Sequence, residues 1–346
     1  MTEQGHSATP GPEHRQADPI YHAIDRQRLD QSACFLCGVQ LTTATRSDEH
    51  VIPSWVQDRF ELWNRRMTLL NGTSIPYRQL MIPCCRTCNN EHLSRIERDV
   101  RDAVLSGYQA TSALSETTLF LWLAKIFYGL LFKERFLLAE RRSAGSASIV
   151  STELLKQFSL HHTFLQAARV PIAFETGLPA SVFVFPVQAP PDIRGQFDFR
   201  DSFEHLVISV RLGEVGILAA LQDGRAQRDH WATELGRYAD RPLHPLQFVE
   251  LTAQFFYRAT LLSRTPKFVI ASANENTTVI QSPLGGFSLR PLFDDWDVRR
   301  YAQILAQFSG QPLDELFQAP DSIRTWLDDA DGERAHFDFT DQPWPP

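Results

Sequence analysis

The sequence predicts a soluble α+β protein in three parts: a cysteine-stapled strand, strand, helix module near the N-terminus, a long buried linking helix, and a larger α+β domain with antiparallel strands. Three observations lead there. Two C-x2-C pairs, Cys34/Cys37 and Cys85/Cys88, bracket a short polar and aromatic stretch. Leu119 to Phe132 is nearly all apolar, interrupted by Lys125. From Ser151 onward, short runs rich in Val, Ile and Phe alternate with turn residues, the pattern of hairpins.

A chain of 346 residues that is 43% hydrophobic can bury a sizeable core and divides naturally into two domains. Residues 1–30 hold Gly, Pro, His, Gln and acidic side chains without an apolar run. They read as a disordered lead-in rather than a signal peptide. Residues 31–108 form the module, 109–150 the linking-helix region and 151–346 the second domain, with a protease-sensitive boundary expected at Arg141 to Ser148. Four of the five cysteines fall in the two pairs, which points to a reducing cytoplasm rather than a secreted disulfide framework. Cys84 is the odd one, and a C-x3-C pairing of Cys84 with Cys88 is the alternative to Cys85.

Two knuckles of this kind bring four thiolates to tetrahedral distance, as a structural zinc requires. Between and after them stand Ser47-Asp48-Glu49-His50-Val51-Ile52-Pro53 and Asn89-Asn90-Glu91-His92. The oxygen and nitrogen donors of Glu49, Asn89 and His92 suit a second, harder ion such as Mg2+ or Mn2+. Hydrolysis of a phosphodiester needs a base for water and a cation for the oxygen charge, and His50 beside such an ion supplies both. On an extended strand Glu49 and His50 point to opposite faces unless the backbone bends, and Pro53 favours a bend. From Asn89 to Leu105 the spacing is helical, with Leu93, Ile96, Val100 and Val104 on one stripe and Arg95, Arg98, Arg101 and Asp102 turned away. Asn89 is a capping type at that helix start, with His92 one turn on.

These residues, over about 30–105, resemble the HNH (ββα-metal) endonucleases, in the four-cysteine zinc subgroup that reads C-x2-C, acidic-His-x-x-Pro, C-x2-C-Asn. The resemblance implies that His50 is the general base and that Glu49, where Asp is commoner, binds the catalytic divalent ion with Asn89. It gives His92 a place where the family often has Lys or His. The family's middle Asn, which orients the catalytic histidine, has no clean match, and Gln79 and Asn71 are the two candidates.

Trp55 to Arg66 reads as a short helix, and Arg59, Arg66, Arg86 and Arg95 are candidate phosphate contacts; a solvated arginine face is the plain alternative. Thr117 to Glu140 is the strongest helix, too short and interrupted to span a bilayer. In the second domain, Ser181 to Val187, Leu206 to Leu212, Val215 to Leu221, Phe268 to Ala273 and Thr277 to Gln281 read as strands, and Leu246 to Leu262 and Val298 to Phe308 as helices. No repeat or phosphate-binding glycine loop occurs. His161, His162, His205, His230 and His244 lack partners at ligand spacing and read as structural or surface residues.

The net charge of −7 sits mainly at the C-terminus, where residues 294–346 hold four basic against twelve acidic side chains. That tail reads as a solvated terminus, with a mimic of nucleic acid closing the site as the sharper alternative. The expected function is a cytoplasmic, metal-dependent endonuclease acting on DNA rather than RNA, of the kind used in bacterial defence against phage or in restriction. Its second domain would control or target the cut through a partner protein or ligand, and no membrane is involved. The competing class is a zinc-knuckle module that binds nucleic acid or protein without cutting. Oligomeric state and cleavage specificity leave no mark in the sequence.

Overall fold

The computed structural model describes residues 20–22, 29–140, 145–264, 266–274, 277–282, 290–318, 322–337 and 339. Most of the expected lead-in and the stretch 141–144 of the expected boundary lie outside them. The fold is α+β. In the module, β1 (Arg46–His50) is followed by α1 (Ser54–Arg59), a small hairpin of β2 (Arg66–Thr68) and β3 (Ser74–Pro76), and β4 (Met81–Cys85), which returns antiparallel to β1. The register sets His50 opposite Met81 and Arg46 opposite Cys85. A π-helical turn, Cys88–Leu93, then runs into α2 (Ser94–Leu105). The expected stripe of Leu93, Ile96, Val100 and Val104 is buried. The helix after β1 is shorter than the expected one ending at Arg66, because the chain turns at Phe60 and Glu61 takes a φ of 53°.

After α3 (Tyr108–Ser112) comes α4 (Glu116–Glu134), capped by Ser115 Oγ, which accepts from Thr118 N at 3.0 Å. It stops at Glu134 rather than Glu140, and every residue from Leu119 to Phe132 is buried. Helix α4 lies directly under the β1–β4 pair. A Cβ on its Gly129 would sit 3.1 Å from Val51 Cγ1 and 3.3 Å from Ile82 Cδ1. Among the described residues no helix is long and apolar enough to cross a membrane.

The remainder holds α5 (Thr152–Gln157), α6 (Ser159–Leu165), β5 (Ile172–Phe174), β6 (Ser181–Pro186), β7 (Phe197–Ser202), β8 (Val207–Leu212), β9 (Val215–Ala220), α7 (Ala226–Gly236), α8 (Pro245–Thr260), β10 (Val269–Asn274), β11 (Thr277–Gln281), α9 (Val298–Ser309), α10 (Leu313–Leu316), β12 (Phe317–Gln318) and β13 (Ser322–Ile323). Four strands form an antiparallel sheet in the order β6-β9-β8-β7. The second sheet, β10-β11-β5, departs from the expected all-antiparallel pattern, since β11 runs parallel to β5. A parallel pair needs a long crossover, and the four-stranded sheet with α7 and α8 provides it.

Two sequence expectations are revised by where the core lies. One apolar core runs from Cys34, Val51 and Ile82 through α4 to Phe164, Val182, Ile217 and Ile280, so it crosses residue 150 without a break. Helix α4 is therefore part of the module's floor as well as a link. The acidic C-terminal segment is also not merely a solvated tail, because Trp326 and Leu327 are buried against α8 and α9 in two further clusters.

Candidate functional site

The Sγ atoms of Cys34, Cys37, Cys85 and Cys88 lie within 4.8 Å of one another, with Cys37 and Cys85 3.7 Å apart. Zinc bonded tetrahedrally to sulfur at about 2.3 Å sets its sulfurs about 3.8 Å apart, so this donor set could hold a structural ion such as zinc. Cys85 completes the group. Cys84 is buried beside it, 3.9 Å from Cys34 Sγ, and stands outside the four. The first knuckle is shaped by Gly38, whose φ of 70° and contact with the Tyr21 ring leave no room for a side chain. Its main-chain oxygens are held from α6 and the turn beyond: His162 Nε2 lies 2.9 Å from Phe35 O, and Gln166 Nε2 donates to Leu36 O at 2.8 Å. Neighbouring His161 reaches Ala124 O of α4 at 3.1 Å. Both histidines are buried pins, the structural role expected for them.

Strand β1 divides its side chains between two environments. Ser47 and Glu49 share one face, since side chains alternate along a strand. Asn89 comes to that strand from the π-helical turn, where Nδ2 donates to Ser47 Oγ at 2.9 Å and to Asp48 O at 3.4 Å. Those bonds engage the amide nitrogen and leave Asn89 Oδ1 as the atom that could accept a ligand bond. Asn89 is not the helix cap, because the chain is already helical at Thr87. His92 is half-buried in the same turn. His50 emerges at the strand end, half-buried, with its ring edge-on to Trp63 at 5.6 Å. Burial first, and the Lys125 charge second, hold its pKa below the ordinary histidine value, so the ring is neutral near pH 7.

Lys125 is the residue that sequence reasoning passed over. Its Nζ lies 2.6 Å from Glu49 Oε1, 2.7 Å from Glu97 Oε1, 2.9 Å from His50 O and 3.3 Å from Val51 O. Gln57 adds a bond from Nε2 to Ile52 O at 2.7 Å. Three consecutive carbonyls at the bend after β1 are thus each met by a buried side chain, which answers the backbone accounting there. Burial works against the ammonium, but the two carboxylates keep it charged. Two carboxylates against one ammonium leave a negative charge over, and burial pushes Glu49 up to about 7. A proton or a further cation supplies the missing charge. The carboxylate, amide and imidazole donors of Glu49, Asn89 and His92 fit a hard divalent ion in kind.

Comparison with protein-family models, curated proteins and solved structures returns no match.

Of the candidate middle residues, neither bonds His50 among the described residues. Asn71 is spent elsewhere, with Nδ2 donating to Ala139 O beyond α4 at 2.7 Å and Oδ1 accepting from Thr73 Oγ1 in its own turn at 2.8 Å. Gln79 is exposed. The four candidate arginines do not share one surface role. Arg66 is tied to Ser74 through Oγ at 2.9 Å and through the carbonyl. Arg59 lines a cavity of about 360 Å³ with Leu105, Gln196 and Glu214. Arg86 and Arg95 are exposed at the second knuckle and on α2.

Proposed function

We propose that this chain is an HNH-type endonuclease that hydrolyses DNA with a divalent ion, its fold stapled by zinc on Cys34, Cys37, Cys85 and Cys88. One convergence supports the reading: Asn89, far along the chain from Glu49 and His50, meets the strand that carries them, beside the four thiols. In this reading neutral His50 takes the proton from the attacking water, and Trp63 fixes the ring plane. Glu49 offers its second oxygen, since Oε1 is engaged by Lys125, and Asn89 and His92 complete the donors. A Mg2+ or Mn2+ ion, when bound, neutralises charge on the phosphate oxygens. Exposed Arg86 and Arg95, with Arg59, hold the DNA backbone. The region from residue 151 controls or targets the cut, which suits a bacterial defence or restriction role.

A second reading is a zinc-knuckle module that binds nucleic acid or protein without cutting. It is favoured by the ion pair that already occupies Glu49. Plasmid DNA incubated with the zinc-loaded protein, with and without Mg2+ or Mn2+, separates the two. His50→Ala is expected to lose about a hundred- to ten-thousandfold in cleavage rate with zinc content and DNA affinity retained. Cutting by His50→Ala at the wild-type rate would remove His50 as the base, and failure of the wild type to cut with Mg2+ or Mn2+ would remove the nuclease reading.

A further inference from the structure

We propose that Lys125 is a positioning residue of the cleavage centre, holding the His50 main chain and the Glu49 carboxylate in register; this rests on the nuclease reading above. The ammonium is saturated, with four oxygens within 3.3 Å for its three protons. At 1% exposure it cannot reach DNA. Its effect on chemistry therefore passes through the groups it holds. Two of these are the carbonyls of His50 and Val51, at the point where β1 ends and the bend begins. The others are Glu49, the proposed ligand, and Glu97 on α2, the helix that continues from the turn bearing Asn89.

Packing alone does not explain a lysine there. Its neighbours on α4 are Trp122, Leu123, Ala124, Ile126 and Phe127, all buried, and an apolar side chain of similar volume would fill the space without desolvating a charge. What an apolar residue cannot do is bond two carbonyls and orient a carboxylate. Lys125 thereby ties β1, α2 and α4 at a single atom. Among the described residues neither Asn71 nor Gln79 bonds His50, whereas Lys125 holds its main-chain oxygen.

The test compares zinc-loaded wild type, Lys125→Met and Glu97→Gln. Mn2+ affinity is measured by titration calorimetry, and kcat and KM are measured on plasmid DNA. Groups that orient metal ligands typically account for ten- to a hundredfold in affinity, and a small misplacement of reacting groups for about a hundredfold in rate. Lys125→Met should therefore weaken Mn2+ binding by about ten- to a hundredfold and lower kcat by about a hundredfold. KM for DNA and zinc content should hold. Glu97→Gln, which leaves the other three bonds of the ammonium, should lose about tenfold in kcat, and it serves as the decisive variant if Lys125→Met does not fold. Wild-type kcat and Mn2+ affinity in the folded variants would overturn the positioning role and leave the nuclease reading standing. A joint fall of zinc content, melting temperature and DNA affinity would reduce Lys125 to a folding staple and overturn it too. If the wild type neither cuts DNA nor binds Mn2+, the nuclease reading falls and takes this role with it.

Discussion

Helices α4 and α8 are both long and buried, and each carries a charged residue near its middle, yet the two charges organise their surroundings in opposite ways. Lys125 of α4 gathers four acceptors from β1, the bend after it and α2, two of them carboxylates. Glu250 of α8 gathers donors from one short segment: Thr325 Oγ1 at 2.6 Å, Trp326 N at 2.6 Å and Leu327 N at 3.2 Å. No lysine or arginine pairs with Glu250 among the described residues. The first arrangement joins distant parts of the chain through charge pairs. The second straps one terminal segment to one helix through neutral donors.

The largest effect should come from the thiol site. Structural zinc contributes on the order of 10 to 16 kcal/mol of folding free energy in small domains. A strong zinc chelator should therefore unfold β1, β4 and α2, seen as lost amide protection by hydrogen exchange. The amides of Trp326 and Leu327, which answer to α8, should keep their protection longer. Simultaneous loss in both regions would mean that the continuous core binds them into one cooperative unit.

Next in size is the strap. Glu250→Ala strands the buried Trp326 N–H, leaves Leu327 N to Thr325 Oγ1 alone at 3.1 Å and opens a gap beside α8, at a cost of about 3 to 5 kcal/mol. Chemical denaturation should show that loss, with zinc content unchanged. A loss below about 1 kcal/mol would mean that Trp326 and Leu327 are held by packing alone.

The two regions should also respond differently to pH, because burial lowers His161 but raises Glu49 and Glu134 to about 7 around α4, whereas α8 answers to the raised Glu250. Burial lowers His161, which bonds α4, from 6.5 to about 4. Its unfolded form takes up a proton first, so stability drains away as pH falls from 6.5 towards 4. Burial raises Glu250 from 4.5 to about 7, against the pull of its three donors. That contribution is whole below pH 4.5 and is lost as pH rises through 7. Each shift corresponds to about 3 kcal/mol. Hydrogen exchange corrected for its intrinsic rate should show α4 loosening both in acid and above neutral pH, and α8 loosening only as pH rises through 7. The same trend in both helices would break the contrast.

Much of this contrast was legible in the sequence in halves. The cysteines, Glu49, His50 and Asn89 stood out because their chemistry depends on residue type and local spacing. Helix α4 and the strands β6, β8 and β9 stood out because apolar runs announce burial. The Lys125 hub was half visible: a lysine inside an apolar run must find partners if it is buried. Those partners, Glu49 and Glu97, come from elements whose approach only the tertiary fold decides. Strand β7, Phe-Asp-Phe-Arg-Asp-Ser, had the alternation of a strand, but its charges masked it. Helix α7 offered no apolar stripe to read, and Trp326 and Leu327 were hidden in an acidic context.

The smallest effect expected is also the most local test of how hard α4 presses on the β1–β4 pair. Alanine is favoured over glycine inside a helix by up to about 1 kcal/mol, so Gly→Ala stabilises wherever there is room. Gly236, at the end of α7, has nothing within 4 Å of an added Cβ, and Gly236→Ala should gain a few tenths of a kcal/mol, about 0.5. Gly129 is different. An added Cβ would meet Val51 Cγ1 at 3.1 Å and Ile82 Cδ1 at 3.3 Å, one on the bend after His50 and the other on β4. Overpacking of this kind costs about 1 to 3 kcal/mol, which outweighs the propensity gain and leaves a net loss of about 1 kcal/mol. Relief comes most readily by a shift of Val51, whose carbonyl is held by Lys125, so Gly129→Ala should lower cleavage more than its stability loss alone explains. Thermal melts of the two variants beside wild type decide the matter. A gain in Gly129→Ala equal to that in Gly236→Ala would show that the β1–β4 pair rides loosely on α4.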